Sequence, residues 1–229
     1  MILDIEYITK QNDLLDTPIH TSIKNRNMYS TMVMVYYALE KCPEIFKLKN
    51  KQNKTIFDLA LENNEYIIVK EITKSYQFMN NLDEDNQTIL MKLISQRDDD
   101  NICKIINFKN TNIDYTIVGS LGTTLHTAIY YCAYKVIYEI LNLTNVEDFI
   151  NIKNKFNQTP LNTAITDQSY DISLLLIEKG ATLVFDDITL NRLYMSDNVK
   201  IRNILWPLIY ISKNYNISNE IIIKIMKYM

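Results

Sequence analysis

The sequence of 229 residues predicts an all-α protein, a solenoid of about five helix–turn–helix repeats followed by a C-terminal helical cap. A short signal led by threonine recurs at Thr17, Thr55, Thr88, Thr123 and Thr159, with spacings of 38, 33, 35 and 36 residues. Each period contains two apolar clusters with helical spacing, so each repeat is predicted to hold two short helices.

Three columns of the alignment support this placement of the repeats along the sequence. Six residues after each threonine stands an aliphatic residue: Ile23, Leu61, Ile94, Ile129 and Ile165. Five residues after it stands a small or apolar residue: Ser22, Ala60, Leu93, Ala128 and Ala164. About 17 residues after it a second apolar cluster recurs, which includes Ile72, Ile105, Ile140 and Leu176. These columns are expected to face the core of the repeats.

The phase sets the predicted boundaries. Repeat 1 covers residues 1–48, repeat 2 residues 49–82, repeat 3 residues 83–117, repeat 4 residues 118–153 and repeat 5 residues 154–186. Repeat 1 carries about five extra residues, predicted as a longer helix or loop within residues 28–46. Residues 187–229 keep helical apolar spacing without the threonine signal, and Trp206 and Pro207 there indicate a degenerate repeat that caps the last apolar face.

The threonine signal has a chemistry that suits the start of a helix. The hydroxyl of Thr17, Thr123 or Thr159 can accept a hydrogen bond from a backbone N–H that the first turn leaves unpaired. Pro18 and Pro160 follow at the first helical position, where a missing N–H costs nothing. Asn53, Asn86 and Asn157 stand two residues before their threonines, and asparagine tolerates the positive φ that a tight turn requires.

The segments "TPIHTS", "TTLHTA" and "TPLNTA" resemble the T-P-L-H-x-A signature of the ankyrin repeat, whose period is about 33 residues. The resemblance covers roughly residues 13–185. It implies that the side chains of His20 and His126 tie neighbouring loops together through hydrogen bonds. Asp58 and Met91 replace this histidine in repeats 2 and 3. The eroded motifs and abundant Asn, Ile, Lys and Tyr resemble ankyrin proteins of large DNA viruses, poxviruses or the giant viruses of amoebae.

Composition excludes several classes of function. A net charge of -3 and a pI near 5.5 argue against a nucleic-acid partner, which requires clustered Lys and Arg. No apolar run approaches 18 residues, and the N-terminus lacks the basic region of a signal peptide, so we expect no membrane association. Three cysteines without C-x-x-C spacing favour a reducing compartment. We therefore expect the cytoplasm, which would be the host cytoplasm for a viral protein.

The chain offers few groups for catalysis. Both histidines belong to the repeat motif, and the three glycines cannot build a phosphate-binding loop. The three aspartates at 98–100 could suggest a cation site, but we interpret them as a solvated turn between helices because the calcium-loop spacing is absent. We expect no enzymatic activity, no metal and no cofactor.

The resemblance implies a binding surface made of loop tips and of the outward positions of each first helix. Reading those positions gives the candidate partner-binding residues Tyr130, Tyr131, Phe156, Gln158, Asp167, Gln96, Gln87 and Gln52. The three aromatics are the candidate anchors of a protein interface. In the alternative interpretation, either tyrosine packs on the preceding repeat and Phe156 covers its own loop.

Residues 217–229 form a second candidate site. Ser218 is a plausible N-cap, and Glu220, Ile221, Ile225 and Met226 match the opening helix of F-box-like segments, although the usual Leu-Pro is missing. Two functions follow from the sequence. The first is a module that binds a host or viral protein through its concave face. The second is an adaptor that recruits a bound protein to a ubiquitin ligase, unless this helix only closes the solenoid.

Overall fold

The computed structural model describes residues 4–109 and 111–182, together with Thr189, Asn203, Pro207 and Tyr210. Every regular element among them is a helix, which confirms the predicted all-α class. Apart from those four single positions, the predicted cap over residues 187–229 lies outside the described residues, as do Trp206 and the F-box-like segment. Within the described residues, no helix is long and apolar enough to cross a membrane.

The chain divides into two compact units. The first takes the described residues of Met1–Asn81 and Lys104–Asp114. Its helices are α1 (Ile5–Thr9), α2 (Pro18–Lys24), α3 (Met28–Lys41), α4 (Ile56–Glu62), α5 (Tyr66–Thr73) and α6 (Tyr76–Asn80). A 3₁₀ turn spans Pro43–Lys47. Here α2 packs on α3 and α4, and α3 packs on α5, so the helix pairs of the first two repeats lie side by side.

The second unit takes the described residues of Leu82–Cys103 and Tyr115–Met229. Its helices are α7 (Ile89–Ser95), the first part of α8 (Asp99–Ile106), α9 (Thr124–Tyr130), α10 (Tyr134–Leu141), α11 (Pro160–Thr166) and α12 (Tyr170–Glu178). A second 3₁₀ turn spans Val146–Asp148. Helix α7 packs on α9 and α9 packs on α11, so the first helices of successive repeats are neighbours.

The apolar columns of the sequence form the cores of these units. All five aliphatic residues six positions after the threonines are at most 4% exposed. Ala60, Ala128 and Ala164 are fully buried where each first helix meets its neighbours, and a larger side chain there would have no room. Burying one such Ile or Leu stabilises the fold by about 1.5–3 kcal/mol.

A left-handed residue ends the first helix of each repeat. Nine positions after the threonine, φ lies between 52° and 61° at Arg26, Asn64, Arg97, Cys132 and Gln168. In repeat 4 the Cys132 N–H donates to the Ile129 carbonyl and the Ala133 N–H to the Ala128 carbonyl, both at 2.9 Å. This is a Schellman motif, and the equivalent pair of bonds occurs in all five repeats.

A second local motif shapes the loop that precedes each threonine. Five positions before it, in four of the five repeats, a side-chain oxygen accepts two backbone N–H groups of its own loop at 2.9–3.1 Å. The four residues are Asn12, Asn50, Asp83 and Asn154. Two positions before the threonine, φ is positive at Leu15, Asn53, Asn86 and Asn157. The three asparagines thus adopt the conformation that their sequence position predicted.

Three elements differ from the sequence-based expectation. Helices α1 and α6 were not predicted. Helix α3 agrees with the prediction of a longer helix or loop within residues 28–46, because it has 14 residues where the other second helices have eight or nine. The aspartates at 98–100 do not form a turn, because Asp99 and Asp100 are the first two residues of α8. Carboxylates in a first helical turn are stabilised by the helix dipole. Asp100 is exposed and forms an ion pair with Lys135 at 3.0 Å.

Candidate protein-interaction surface

The threonines and histidines of the repeat motif position the loops. Thr17 N–H and Oγ lie 3.2 and 2.8 Å from His20 Nδ1, and His20 Nε2 lies 3.2 Å from the Lys54 carbonyl of the next repeat. The same arrangement recurs in repeat 4, where His126 Nε2 lies 3.0 Å from the Gln158 carbonyl. Each histidine therefore connects the start of its own helix to the loop that follows one repeat later.

Both imidazoles must be neutral to make these bonds. A backbone N–H can only donate and a carbonyl can only accept, so Nδ1 accepts and Nε2 carries the hydrogen. Burial lowers the pKa of His126 to about 4, although its bond to Gln158 opposes that change. Burial also lowers the pKa of His20.

In repeats 2 and 5, other residues replace the histidine at the start of the first helix. Asp58 Oδ2 accepts both the N–H and the hydroxyl of Thr55 at 2.9 Å. Asn162 Oδ1 accepts the hydroxyl of Thr159 at 2.9 Å. The helix start is therefore preserved with three different side chains.

The loop of repeat 5 holds Phe156 at its tip. Asn154 Oδ1 accepts the N–H groups of Phe156 and Gln158 at 2.9 and 3.0 Å, and the Asn154 N–H donates back to the Gln158 carbonyl. That carbonyl also accepts His126 Nε2–H from α9. The backbone of the tip is thus fixed at both ends, while the Phe156 ring is 65% exposed.

Tyr130 is the last residue of α9, one helical turn beyond His126, and it is 56% exposed. Its ring meets the edge of Tyr131, with centroids 5.2 Å apart. Tyr131 is the C-cap of α9 and is half-buried, so it is less outward than the sequence predicted. The edge-on contact with the Tyr130 ring covers part of the Tyr131 side chain.

The other candidate partner-binding residues lie at helix ends and loop tips. Gln96 and Asp167 are the exposed C-caps of α7 and α11. Gln87 and Gln158 are half-buried, and Gln87 Nε2 lies 3.4 Å from Ser120 Oγ in the loop of the next repeat. Gln52 is exposed and belongs to the first unit, while the other seven candidates belong to the second.

A groove lies elsewhere, in the first unit. It has a volume of about 790 Å³, with Tyr7, Tyr29 and Val33 among its lining residues. None of the candidate partner-binding residues lines it. Its buried carboxylate, Asp16, is already paired with Lys24 at 2.6 Å and with Asn50 at 2.9 Å. Burial would raise the pKa of Asp16, but these two partners hold it below its usual value.

The part of the chain that the structure describes contains no group of three or more His, Cys, Asp or Glu side chains placed to hold a metal ion. Cys42 and Cys103 are half-buried, and burial raises the pKa of both thiols, which disfavours the reactive thiolate. Cys132 is exposed in the turn after α9.

No protein-family model and no curated protein matches the sequence. Among solved structures, the chain is similar to the ankyrin repeat domain of Bcl-3, described as a unique member of the IκB protein family. The two share 19% identity and a TM-score of 0.56, over 73% of each chain. The chain has the ankyrin-repeat fold.

Within this ankyrin-repeat fold, two features of the surface were missed from the sequence. The first is the row of left-handed turn residues, all five of which are exposed. The second is a pair of exposed tyrosines on α10, Tyr134 and Tyr138, each 49% exposed. The spacing of four residues between Tyr134 and Tyr138 could have predicted the second feature, since residues four apart lie on the same helix face.

Proposed function

We propose that this ankyrin-repeat chain is a non-catalytic module that binds another protein through the surface formed by Tyr130, Tyr131 and Phe156. The observation that supports it most is the exposure of Tyr130 and Phe156, at 56% and 65%. Water-exposed aromatic rings at fixed backbone positions gain the most from burial against a partner, and they dominate measured interface energies. Gln158 and Asp167 form the polar border of this surface, and Gln87 and Gln96 extend it toward repeat 3.

The order of the backbone around Phe156 supports the same proposal. Its loop is held by Asn154 and by the His126 bond to Gln158, so little conformational entropy is lost when a partner binds. The resemblance to ankyrin proteins of large DNA viruses makes a host or viral protein in the cytoplasm the expected partner.

The test is the double change Tyr130→Ala and Phe156→Ala. Affinity capture with the full chain as bait identifies the partner, and titration calorimetry then compares the variant with the parent. We expect a loss of more than about 2 kcal/mol of binding free energy with an unchanged melting curve. Tyr134→Ala with Tyr138→Ala is the matched control, because it removes two rings of similar exposure from α10. Equal losses in both variants, or none in the first, would place the interface elsewhere.

A second candidate function rests on the sequence of residues 217–229 alone. The matches at Glu220, Ile221, Ile225 and Met226 favour an adaptor that recruits its bound protein to a ubiquitin ligase through an F-box-like helix. Comparing the full chain with a chain that ends near residue 214 in a binding assay with purified Skp1-like protein tests it. Binding that is absent from both chains would eliminate the adaptor function.

A further inference from the structure

Two lysines accompany Phe156 on the loop of repeat 5. Lys153 and Lys155 are both exposed, and neither takes part in an ion pair with any described residue. The Lys155 ammonium lies 5.3 Å from the centroid of the Phe156 ring. A large apolar side chain is thus presented beside two positive charges that form no ion pair with the described residues.

The same two charges occur in repeat 2 without the aromatic ring. Lys49 and Lys51 stand six and four positions before Thr55, as Lys153 and Lys155 stand before Thr159, and both are exposed. Gln52 occupies the position that corresponds to Phe156. Repeat 3 carries the opposite charge, with Asp83, Glu84 and Asp85 exposed on its loop. Among the described repeat loops, only that of repeat 5 carries both a pair of lysines and an aromatic ring.

We propose that the surface of Phe156 and Tyr130 takes an acidic segment of a partner protein. One large apolar side chain of that segment lies against the two rings, and its flanking carboxylates face Lys153 and Lys155. Complementary charges around an apolar centre accelerate association and fix the register of a bound segment. The acidic loop of repeat 3 repels such a segment, so the carboxylates are directed to repeat 5. This inference rests on the proposed binding function and specifies the chemistry of its partner.

Fluorescence anisotropy with the full chain tests the proposal directly. The probe is a short labelled peptide in which Glu and Asp surround a central Leu-Phe pair. One control peptide replaces the acids with Gln and Asn, and the other replaces Leu-Phe with Ala-Ala. We expect the acidic apolar peptide to bind at least about tenfold more tightly than either control at low salt, and the difference to shrink as salt increases.

The lysines are tested with matched charge reversals. Lys153→Glu with Lys155→Glu should weaken binding of the acidic peptide by about tenfold or more, whereas Lys49→Glu with Lys51→Glu should change it by less than about twofold. Lys153→Gln with Lys155→Gln, which adds no repulsion, should give an intermediate loss. Melting curves of all three variants establish that the fold is kept.

Three outcomes would overturn the proposal. They are equal losses from the two charge reversals, equal binding of the acidic and amide peptides, and tighter binding of a single-stranded RNA probe that depends on the same lysines. Failure of this inference differs from failure of the proposed function. If the captured partner is lost with Tyr130→Ala and Phe156→Ala but retained by Lys153→Glu with Lys155→Glu, the surface binds a protein that is not acidic.

Discussion

At the scale of single residues, the turn between the two helices places a left-handed conformation on an unfavourable residue type in four of the five repeats. Arg26, Arg97, Cys132 and Gln168 adopt the left-handed conformation, in which a Cβ crowds the following carbonyl. Glycine adopts it freely, and Asn64 tolerates it better than most residues. The two Schellman hydrogen bonds and the packing of both helices impose the conformation.

Replacing one of these residues with glycine should therefore stabilise the protein. For Arg97→Gly, at φ 61°, we expect the free energy of unfolding to rise by about 1 kcal/mol, because the strain is removed while the hydrogen bonds remain. Chemical denaturation measures the change. The control is Gln96→Gly, one residue earlier at φ -82°, where glycine adds only flexibility to the unfolded chain and should destabilise. A stabilisation of equal size by both changes would refute the explanation.

Histidine protonation provides a second prediction at this scale. The pKa of His126 is about 4 in the folded protein and near 6.5 in an unfolded chain, so the unfolded state binds the proton first as pH falls. The stability that neutral His126 contributes is complete above pH 6.5 and is lost between about pH 6.5 and 4. The total loss is roughly 3 kcal/mol.

Denaturation at a series of pH values checks this, with His126→Asn as the reference. Asn162 already occupies the equivalent position in repeat 5, so asparagine fits there. We expect the difference in stability between parent and variant to shrink as pH falls through this window. A constant difference between pH 7 and 4 would mean that His126 has the same pKa in the folded and unfolded states, which would contradict the lowered pKa.

At the scale of elements, the loop of repeat 4 differs from the other four. It lacks the side-chain oxygen five positions before the threonine, where Val118 stands, and it contains two of the three glycines. The Gly119 N–H donates to the Gly122 carbonyl at 2.8 Å, and Gly122 has φ +126°. Backbone conformation here replaces the side-chain bonds that order the other loops.

Gly119→Ala tests how tightly this loop is packed. An added Cβ would lie 2.6 Å from the Asn86 carbonyl oxygen and 2.7 Å from Met91 Sδ. The backbone carbonyl cannot move without the loop of repeat 3, so we expect a loss of about 1–3 kcal/mol of unfolding free energy. Gly180→Ala is the control, since its Cβ would enter open space. Any loss of unfolding free energy there should come only from the strain of an alanine at φ +98°. A larger loss at Gly180 would contradict this account of the packing.

The sequence predicted those features that a local residue type determines. Thr17 and Pro18 start a helix by their own chemistry, and the apolar columns follow from the helical period, so the repeat phase was predictable. Arg97 and Cys132 carry no local signal for a left-handed turn, because tertiary packing imposes it. Likewise the partial burial of Tyr131 depends on its contact with the Tyr130 ring, which the repeat spacing does not predict. At the candidate surface, the exposure of Tyr130 and Phe156 followed from the phase, while the ordering of the Phe156 loop depends on contacts between repeats.

At the scale of the whole molecule, hydrogen bonds connect each repeat to its neighbours within a unit. The His20 bond joins repeats 1 and 2 in the first unit, and the His126 bond joins repeats 4 and 5 in the second. No described residue is shared between the two bonds. In a repeat protein, stability is approximately a sum of repeat terms and nearest-neighbour terms.

His20→Asn and His126→Asn should therefore have additive effects. We expect the double variant to lose the sum of the two single losses within about 0.5 kcal/mol. A second double-mutant cycle combines His126→Asn with Thr123→Ala. The Thr123 hydroxyl lies 2.9 Å from His126 Nδ1, so the losses of unfolding free energy in this cycle should be clearly non-additive. Denaturant titration of the variants in both cycles measures the coupling. Coupling above about 1 kcal/mol between the two histidines would indicate cooperativity beyond nearest neighbours.

The bond from His126 to Gln158 also has a consequence for spectroscopy. The Nε2 hydrogen exchanges with water only when the loop of repeat 5 separates from α9, because that hydrogen is buried and bonded in the closed state. An imidazole N–H signal in a nitrogen-15 NMR spectrum would therefore report the lifetime of this contact. The exchange rate of this single proton would measure how often the loop of repeat 5 separates from α9, and a bound partner would slow that rate.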